Sequence, residues 1–165
     1  MIEHLGRLRV GSGLDMHAFA DGRLLILGGV EIPSERGLAG HSDADVLTHA
    51  VIDALLGAAA MGDIGSWFPS SDQRFAGADS LVLLDQVVGR LCAGGWTIVN
   101  VDATLVLQAP RVAPYVVSMR RRLADALCIS QERVGVKATT TDHLGALGRG
   151  EGAAAHAVAL LLAPA

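Results

Sequence analysis

A chain of 165 residues is long enough for one domain with a proper core and too short for two comfortable ones, so residues 1–165 are read as a single domain. Hydrophobic residues make up 51% but aromatics only 4%, so that core is built from closely packed Ala, Val, Leu and Ile. A net charge of -4 with no basic run of five excludes a nucleic-acid surface, leaving Arg120, Arg121 and Arg122 to meet a phosphate locally at most.

The chain opens on a short polar segment without an apolar signal core. Leu8 to Gly13 reads as a strand running directly into Leu14-Asp15-Met16-His17. In extended chain, residues two apart point the same way, which pairs Asp15 with His17. From Arg23 to Ile32 two β-prone runs, L-L-I-L and V-E-I, meet at Gly28-Gly29, a hairpin signal. Pro33 to Gly40 reads as a loop delivering His41.

The stretch 38–68 then gathers two histidines, two serines and four aspartates. Ser42 reads as an N-cap, with Asp45 adding negative charge near the first turn. Val46, Leu47, Ala50, Val51, Ala54 and Leu55 recur at helical spacing, so one stripe faces a core. Asp45, His49 and Asp53 follow at intervals of four, so the helix presents a histidine flanked by carboxylates.

Residues 61–78 read as irregular. Asp79 or Ser80 caps a second helix carrying Leu81, Leu84, Val87, Val88 and Leu91, and Gly94-Gly95 ends it. From Ile98 to Leu107 the chain alternates, with Val99, Val101, Ala103, Leu105 and Leu107 on one face and Asn100, Asp102 and Thr104 on the other. Q-A-P-R breaks that strand, and Pro114 opens a third helix that runs to about Leu127. Val134 to Thr140 is another strand, and a Gly-rich connection leads to a last one, Ala153 to Leu162. The expected fold is an α/β two-layer sandwich: a mixed sheet with helices on one face, plus a β-hairpin. The last strand is apolar on both sides, which calls for a second subunit against the open sheet face. Its run of apolar residues, with His156 inside, is too short to span a bilayer. Cys92 and Cys128 lack any C-x-x-C spacing and read as reduced, packed thiols. The expected location is cytoplasmic.

Two imidazoles and a carboxylate suit zinc, and three protein ligands leave a fourth position open, so Asp15, His17 and His49 form a candidate metal site. Each of them alone is more often a hydrogen-bonded turn or core group than a ligand. His41 is either a loop residue or an anion donor beside a helix N-terminus. His4, His143 and His156 read as structural. G-D-I-G around Asp63 suits a turn as well as a ligand contact, and K-A-T-T-T-D suits a phosphate and a hard cation or a satisfied turn. There is no Ser-His-Asp order, reactive-Cys signature or Walker-type G-K-[ST]. A metal-dependent phosphohydrolase and a binding module remain open on these residues.

The ordered set G-x-G-x-D-x-H, G-x-x-x-H-S-D-x-D-x-x-x-H, G-D-I-G-x-x-F-P, Q-A-P, K-A-T-T-T and G-R-G-E-G resembles the 2-C-methyl-D-erythritol 2,4-cyclodiphosphate synthases of the non-mevalonate isoprenoid pathway, over roughly residues 8 to 162. The resemblance implies a lyase that closes a cyclic diphosphate from 4-diphosphocytidyl-2-C-methyl-D-erythritol 2-phosphate and releases CMP. It implies a homotrimer with active sites between subunits and sheet faces packed around the trimer axis. Zinc falls to Asp15, His17 and His49, and a second divalent ion, magnesium or manganese, to Asp142. His41 and Thr140 match transition-state-stabilising positions. Ser42, Asp63, Ile64, Gly65, Phe68 and Asp72 match substrate contacts, and Ala109, Pro110 and Arg111, with Ala138 and Thr139, match the cytidine end. Arg149, a substrate-contact position as well, joins Glu151 and Leu14 at the axial cavity. Asp142 stands where Glu is usual, Arg111 where Lys is, and Leu14 and Ala146 where Phe is common. Such a reaction needs no triad, because its nucleophile is already an ionised phosphate and its main obstacle is repulsion between anions.

Overall fold

The computed structural model describes residues 6–165; His4 lies outside them. Strand β1 covers Leu8–Asp21, longer than the sequence suggests. It is held along its length by antiparallel β7, Gly152–Leu162, from Leu8 opposite Leu162 to Ala18 opposite Gly152. Its last residues pair on the other edge with β4, Arg36–Leu38, so the expected loop before His41 carries a short edge strand. Strand β5, Thr97–Val106, runs antiparallel on the far side of β7, and β6, Val134–Thr139, joins β5 in parallel. The sheet is therefore mixed, in the order β4-β1-β7-β5-β6. The expected hairpin forms from β2, Leu25–Leu27, and β3, Val30–Ile32. Its linking Gly28 and Gly29 have φ of 57° and 70°, the pair of positive values that a two-residue turn of this twist requires.

Helices α1, Val46–Ala58, and α4, Val116–Leu127, pack on one face of the sheet, and α3, Ser80–Ala93, packs against both of them. Between α1 and α3 a single turn, α2, spans Ile64–Trp67, and α5, Gly145–Gly148, lies in the connection to β7. Only Asp53 and Gly57 of α1 escape burial, so the helix is buried almost all round and not along a single stripe. It is sandwiched between the sheet and α3, and an all-round apolar helix belongs in such a place. Contact with β1 is backbone to backbone. A Cβ on Gly11 would lie 2.0 Å from the Ala54 carbonyl oxygen, and one on Gly13 2.0 Å from that of Ala50.

Three local expectations are corrected. Strand β5 skips a residue between Ile98 and Asn100, so Ile98 is buried and Val99 only partly so; the bulge shifts the alternation by one before Val101. Cys92 and Cys128 are exposed, not packed: Cys92 lies beside the buried stripe of α3, and Cys128 is the left-handed C-cap of α4. The helix cap at residue 42 is taken up below. The sheet face away from the helices exposes Val10, Leu14 and Met16, each more than half accessible, beside Val158. Among the described residues no helix is long and apolar enough to cross a membrane.

Candidate functional site

The site forms where β1 passes the first turn of α1. Asp15 and His17 project on the helix side of the strand, as Gly11 and Gly13 do, and His49 meets them from α1. What fixes the start of α1 is Asp45, not Ser42: its carboxylate, fully buried, accepts from Thr48 N at 3.0 Å and Thr48 Oγ1 at 2.7 Å. The same carboxylate accepts the hairpin amides of Gly28 at 2.8 Å and Gly29 at 2.6 Å. One side chain thus ties turn and helix together. Burial pushes its carboxyl upward despite those donors.

Asp15 Oδ2 lies 2.8 Å from His17 Nε2 and 3.0 Å from His49 Nδ1, and the two ring nitrogens are 3.3 Å apart. Burial opposes ionisation of Asp15, yet the hydrogen bonds and charge of His17 and His49 outweigh it and hold the carboxyl well below the usual range. The bond from Asp15 in turn raises His17 more than burial lowers it. His17 Nδ1 donates to the Ala39 carbonyl at 2.6 Å, which leaves Nε2 as the nitrogen turned to the cluster. Two imidazole nitrogens and one carboxylate oxygen within 4.8 Å of one another fit a zinc-like cation with an open coordination position.

The cluster opens into a cavity that His41, Ser42, Ile64, Gly65 and Phe68 also line. Asp53, one turn along from His49, accepts from Ile64 N at 2.7 Å and pins this wall to α1. Exposed Asp63 caps the Ile64 turn, accepting from Ser66 N at 2.7 Å. His41 Nε2 donates to the Asp72 carbonyl at 3.1 Å, while the Asp72 carboxylate pairs with Arg74 and is held below the usual range by it. At the helix terminus expected beside His41, Asp45 already takes the Thr48 amide of the first turn.

The remaining sequence-predicted residues lie elsewhere. Pro110, Arg111, Ala138, Thr139 and Thr140 line a second cavity that shares no lining residue with the first. Ala109 lines a third with Pro110, Phe19 and Arg36. Asp142 is exposed, its amide 3.2 Å from Thr140 Oγ1. Arg149 and Glu151 form an exposed ion pair at 2.6 Å, and Leu14 stands on the open sheet face. Sequence reasoning missed Ser70, Phe75 and Leu83 in the first cavity, and Asp43 and Ser80 behind His49. Those two lie 37 positions apart in the chain, and a serine at a helix start reads locally as a cap and nothing more.

This mixed α/β fold, with a two-histidine, one-aspartate cluster where its long strand meets a helix start, is that of the YgbB family; the family profile matches residues 8–162, and the chain belongs to it. Curated relatives carry the name 2-C-methyl-D-erythritol 2,4-cyclodiphosphate synthase. That of Laribacter hongkongensis is 59% identical over 154 residues, 93% of this chain and 95% of the relative. That of Moorella thermoacetica is 56% identical over 155 residues, 94% and 95%. Among solved structures, the bifunctional IspDF from Campylobacter jejuni superposes with a TM-score of 0.91 at 39% identity over 94% of this chain, which spans only 42% of that longer protein. Plasmodium falciparum IspF, solved as a CDP complex, gives a TM-score of 0.83 at 27% identity, covering 96% of this chain and 97% of the other.

Proposed function

We propose that this chain converts 4-diphosphocytidyl-2-C-methyl-D-erythritol 2-phosphate to 2-C-methyl-D-erythritol 2,4-cyclodiphosphate and CMP, as a cytoplasmic lyase whose residues 1–165 act as one catalytic domain. The observation that carries the reading is the convergence of Asp15, His17 and His49 on a cavity walled by Ser42, Ile64, Gly65 and Phe68. These three ligands would hold zinc, which when bound supplies positive charge to a phosphoryl oxygen. Asp142, a single exposed carboxylate, suits a magnesium or manganese ion shared with substrate phosphates.

An oxygen of the 2-phosphate forms a bond to the β-phosphorus while the bond from that phosphorus to the bridging oxygen breaks. The electron pair leaves with CMP. The nucleophile is already ionised, so the protein's task is to position two anions and offset their repulsion. His41 and Thr140 serve as donors to the transferred phosphoryl group. Asp63, Gly65, Phe68 and Asp72 hold the methylerythritol end; Ala109, Pro110, Arg111, Ala138 and Thr139 hold cytidine.

The two cavities of one chain share no wall, which supports a homotrimer in which the first cavity of one copy is completed by the second cavity of its neighbour. The apolar sheet face with Val10, Leu14, Met16 and Val158 supports packing around a threefold axis, with Leu14, Arg149 and Glu151 at the axial opening. Phosphorus NMR of the protein with the cytidine-diphosphate substrate and magnesium, with and without a zinc chelator, tests the reading. A cyclic diphosphate with CMP, formed only without chelator, is the expected result; an open-chain phosphate would overturn it. Sedimentation equilibrium must return the mass of three chains.

A further inference from the structure

We infer that Arg23 is a positioning residue for the transfer step, bracing from behind the short segment that carries His41 and Ser42 into the first cavity. That segment is a thin wall. Its front, His41 and Ser42, lines the cavity that holds the Asp15, His17 and His49 cluster. Its back, Ser42 and Asp43, lines another hollow of about 270 Å³, shared with Arg23, Leu24 and Gly77. Ser42 belongs to both, so the wall is one residue thick there and has space behind it to retreat into.

What holds the wall decides where the His41 imidazole stands. Among the described residues, two donors from elsewhere in the chain reach its backbone: Gly77 N meets the His41 carbonyl at 2.7 Å, and Arg23 Nη2 meets the Ser42 carbonyl at 2.6 Å. Gly77 is exposed and lies in the same irregular stretch as Asp72, whose carbonyl accepts from the His41 ring at 3.1 Å. Both contacts of His41 therefore tie it to one loop, which can move with it. Arg23 stands in the short connection between β1 and β2, and β1 carries Asp15 and His17. Its bond links the wall to the strand of the cluster, and a charged donor makes it one of the stronger kind. The far end is pinned separately, by Asp43 N on the Ala78 carbonyl at 3.0 Å and Ser80 N on the Asp43 carboxylate at 3.0 Å. Just beyond it Ala44 has φ of 58°, a left-handed conformation that a residue with a Cβ keeps only where its surroundings enforce it.

With that end fixed, losing the Arg23 bond frees the end that carries His41. A donor to charge that develops in the transition state acts on the rate and little on ground-state binding. A shift of about 1 Å in such a group costs about 100-fold. Removing the brace therefore lowers kcat by more than it raises KM.

This inference rests on the reading of His41 as a donor to the transferred phosphoryl group. The experiment is a double-mutant cycle on the full chain, with kcat and KM for the cytidine-diphosphate substrate measured in Arg23→Met, His41→Ala and the two combined. Methionine keeps most of the stem and removes the donor. Arg23→Met should lower kcat about 10-fold to 100-fold and His41→Ala about 100-fold to 1000-fold, while the double variant should be no slower than His41→Ala. Arg23→Lys, which keeps a charged donor, should recover part of the rate. An Arg23 that merely steadies the fold slows either background alike, so an equal factor in both would overturn the inference, as would wild-type kcat in Arg23→Met. Amide exchange needs no turnover. In Arg23→Met the Gly77 amide, bonded to His41, should exchange faster, while the Asp43 amide at the pinned end keeps its wild-type rate. Unchanged exchange at Gly77, or equal acceleration at both, would also overturn the brace. Wild-type kcat in His41→Ala, with faster exchange at Gly77 alone in Arg23→Met, would instead sink the donor reading and leave the brace standing.

Discussion

Replacing Gly13 by alanine adds one methyl group where β1 rests directly on α1. The new Cβ would meet the Ala50 carbonyl oxygen at 2.0 Å and the Ala54 nitrogen at 2.7 Å. Since Cβ atoms do not approach closer than about 3.0 Å, strand and helix must part by at least 3.0 minus 2.0, about 1 Å. Overpacking costs roughly 1–3 kcal/mol where side chains can yield. Here both partners are backbone, which puts the cost near about 3 kcal/mol and the fall in Tm near 6–12 °C at about 2–4 °C per kcal/mol. Asp15 is two residues further along the same strand face, and His49 is on the helix being pushed away. Metal bonds tolerate only about 0.2 Å of misplacement, so zinc affinity should fall by at least about 100-fold. The assay is a thermal melt together with zinc competition, with Gly57→Ala as the control. At Gly57 the added Cβ meets nothing nearer than 3.7 Å, and alanine in a helix gains about 0.5–1 kcal/mol over glycine. A Gly13→Ala protein that melts and binds zinc like wild type would refute the close-contact reasoning, as would a destabilised Gly57→Ala.

Further outcomes follow from the same geometry. His49→Ala should abolish zinc uptake and lower CMP release by more than about 100-fold while the fold persists, read by metal analysis and product assay. Asp45→Ala strands four donors of the hairpin and α1, three of them buried, at roughly 3–5 kcal/mol, measurable by denaturant unfolding. Asp53→Ala frees the Ile64 amide, so KM should rise more than kcat falls as the cavity wall loosens. His17 is raised above its ordinary 6.5 by Asp15, so in the metal-free chain its pairing stabilises fully below 6.5 and is lost as pH rises through the raised value. Zinc must displace that proton, so its affinity should climb over the same window. Melts with chelator should therefore fall with pH across that range while the zinc-induced gain in Tm grows; parallel curves would contradict the pairing.

Much of this was legible in the chain. Alternation and helical spacing depend on neighbours within a few positions, so they reveal the strand carrying Asp15 and His17, the Gly28-Gly29 hairpin and the helix carrying His49. The ordered motifs add the family. Ser42 was misread as a cap because the competing cap, Asp45, is selected by the amides of a hairpin sixteen and seventeen residues away, not by anything in the local sequence. Val99 was misplaced because a bulge belongs to the pairing of two strands and leaves no mark in one. Cys92 and Cys128 sit among apolar neighbours, but which helix face is covered is settled by what packs on it.

What the sequence alone determined is the set of chemical groups and their local geometry: two residues on one strand face, a helical histidine with an aspartate four residues to either side, a turn of two glycines. Only the tertiary structure decided that Gly11 and Gly13 are spaces for a helix, that Asp53 is an anchor for Ile64, and that Asp43 and Ser80 stand behind His49. The reason is physical. Local patterns follow from bonds along the chain, whereas ligand convergence, hydrogen-bond polarity and burial follow from packing between segments far apart in sequence, which no window of neighbouring residues encodes.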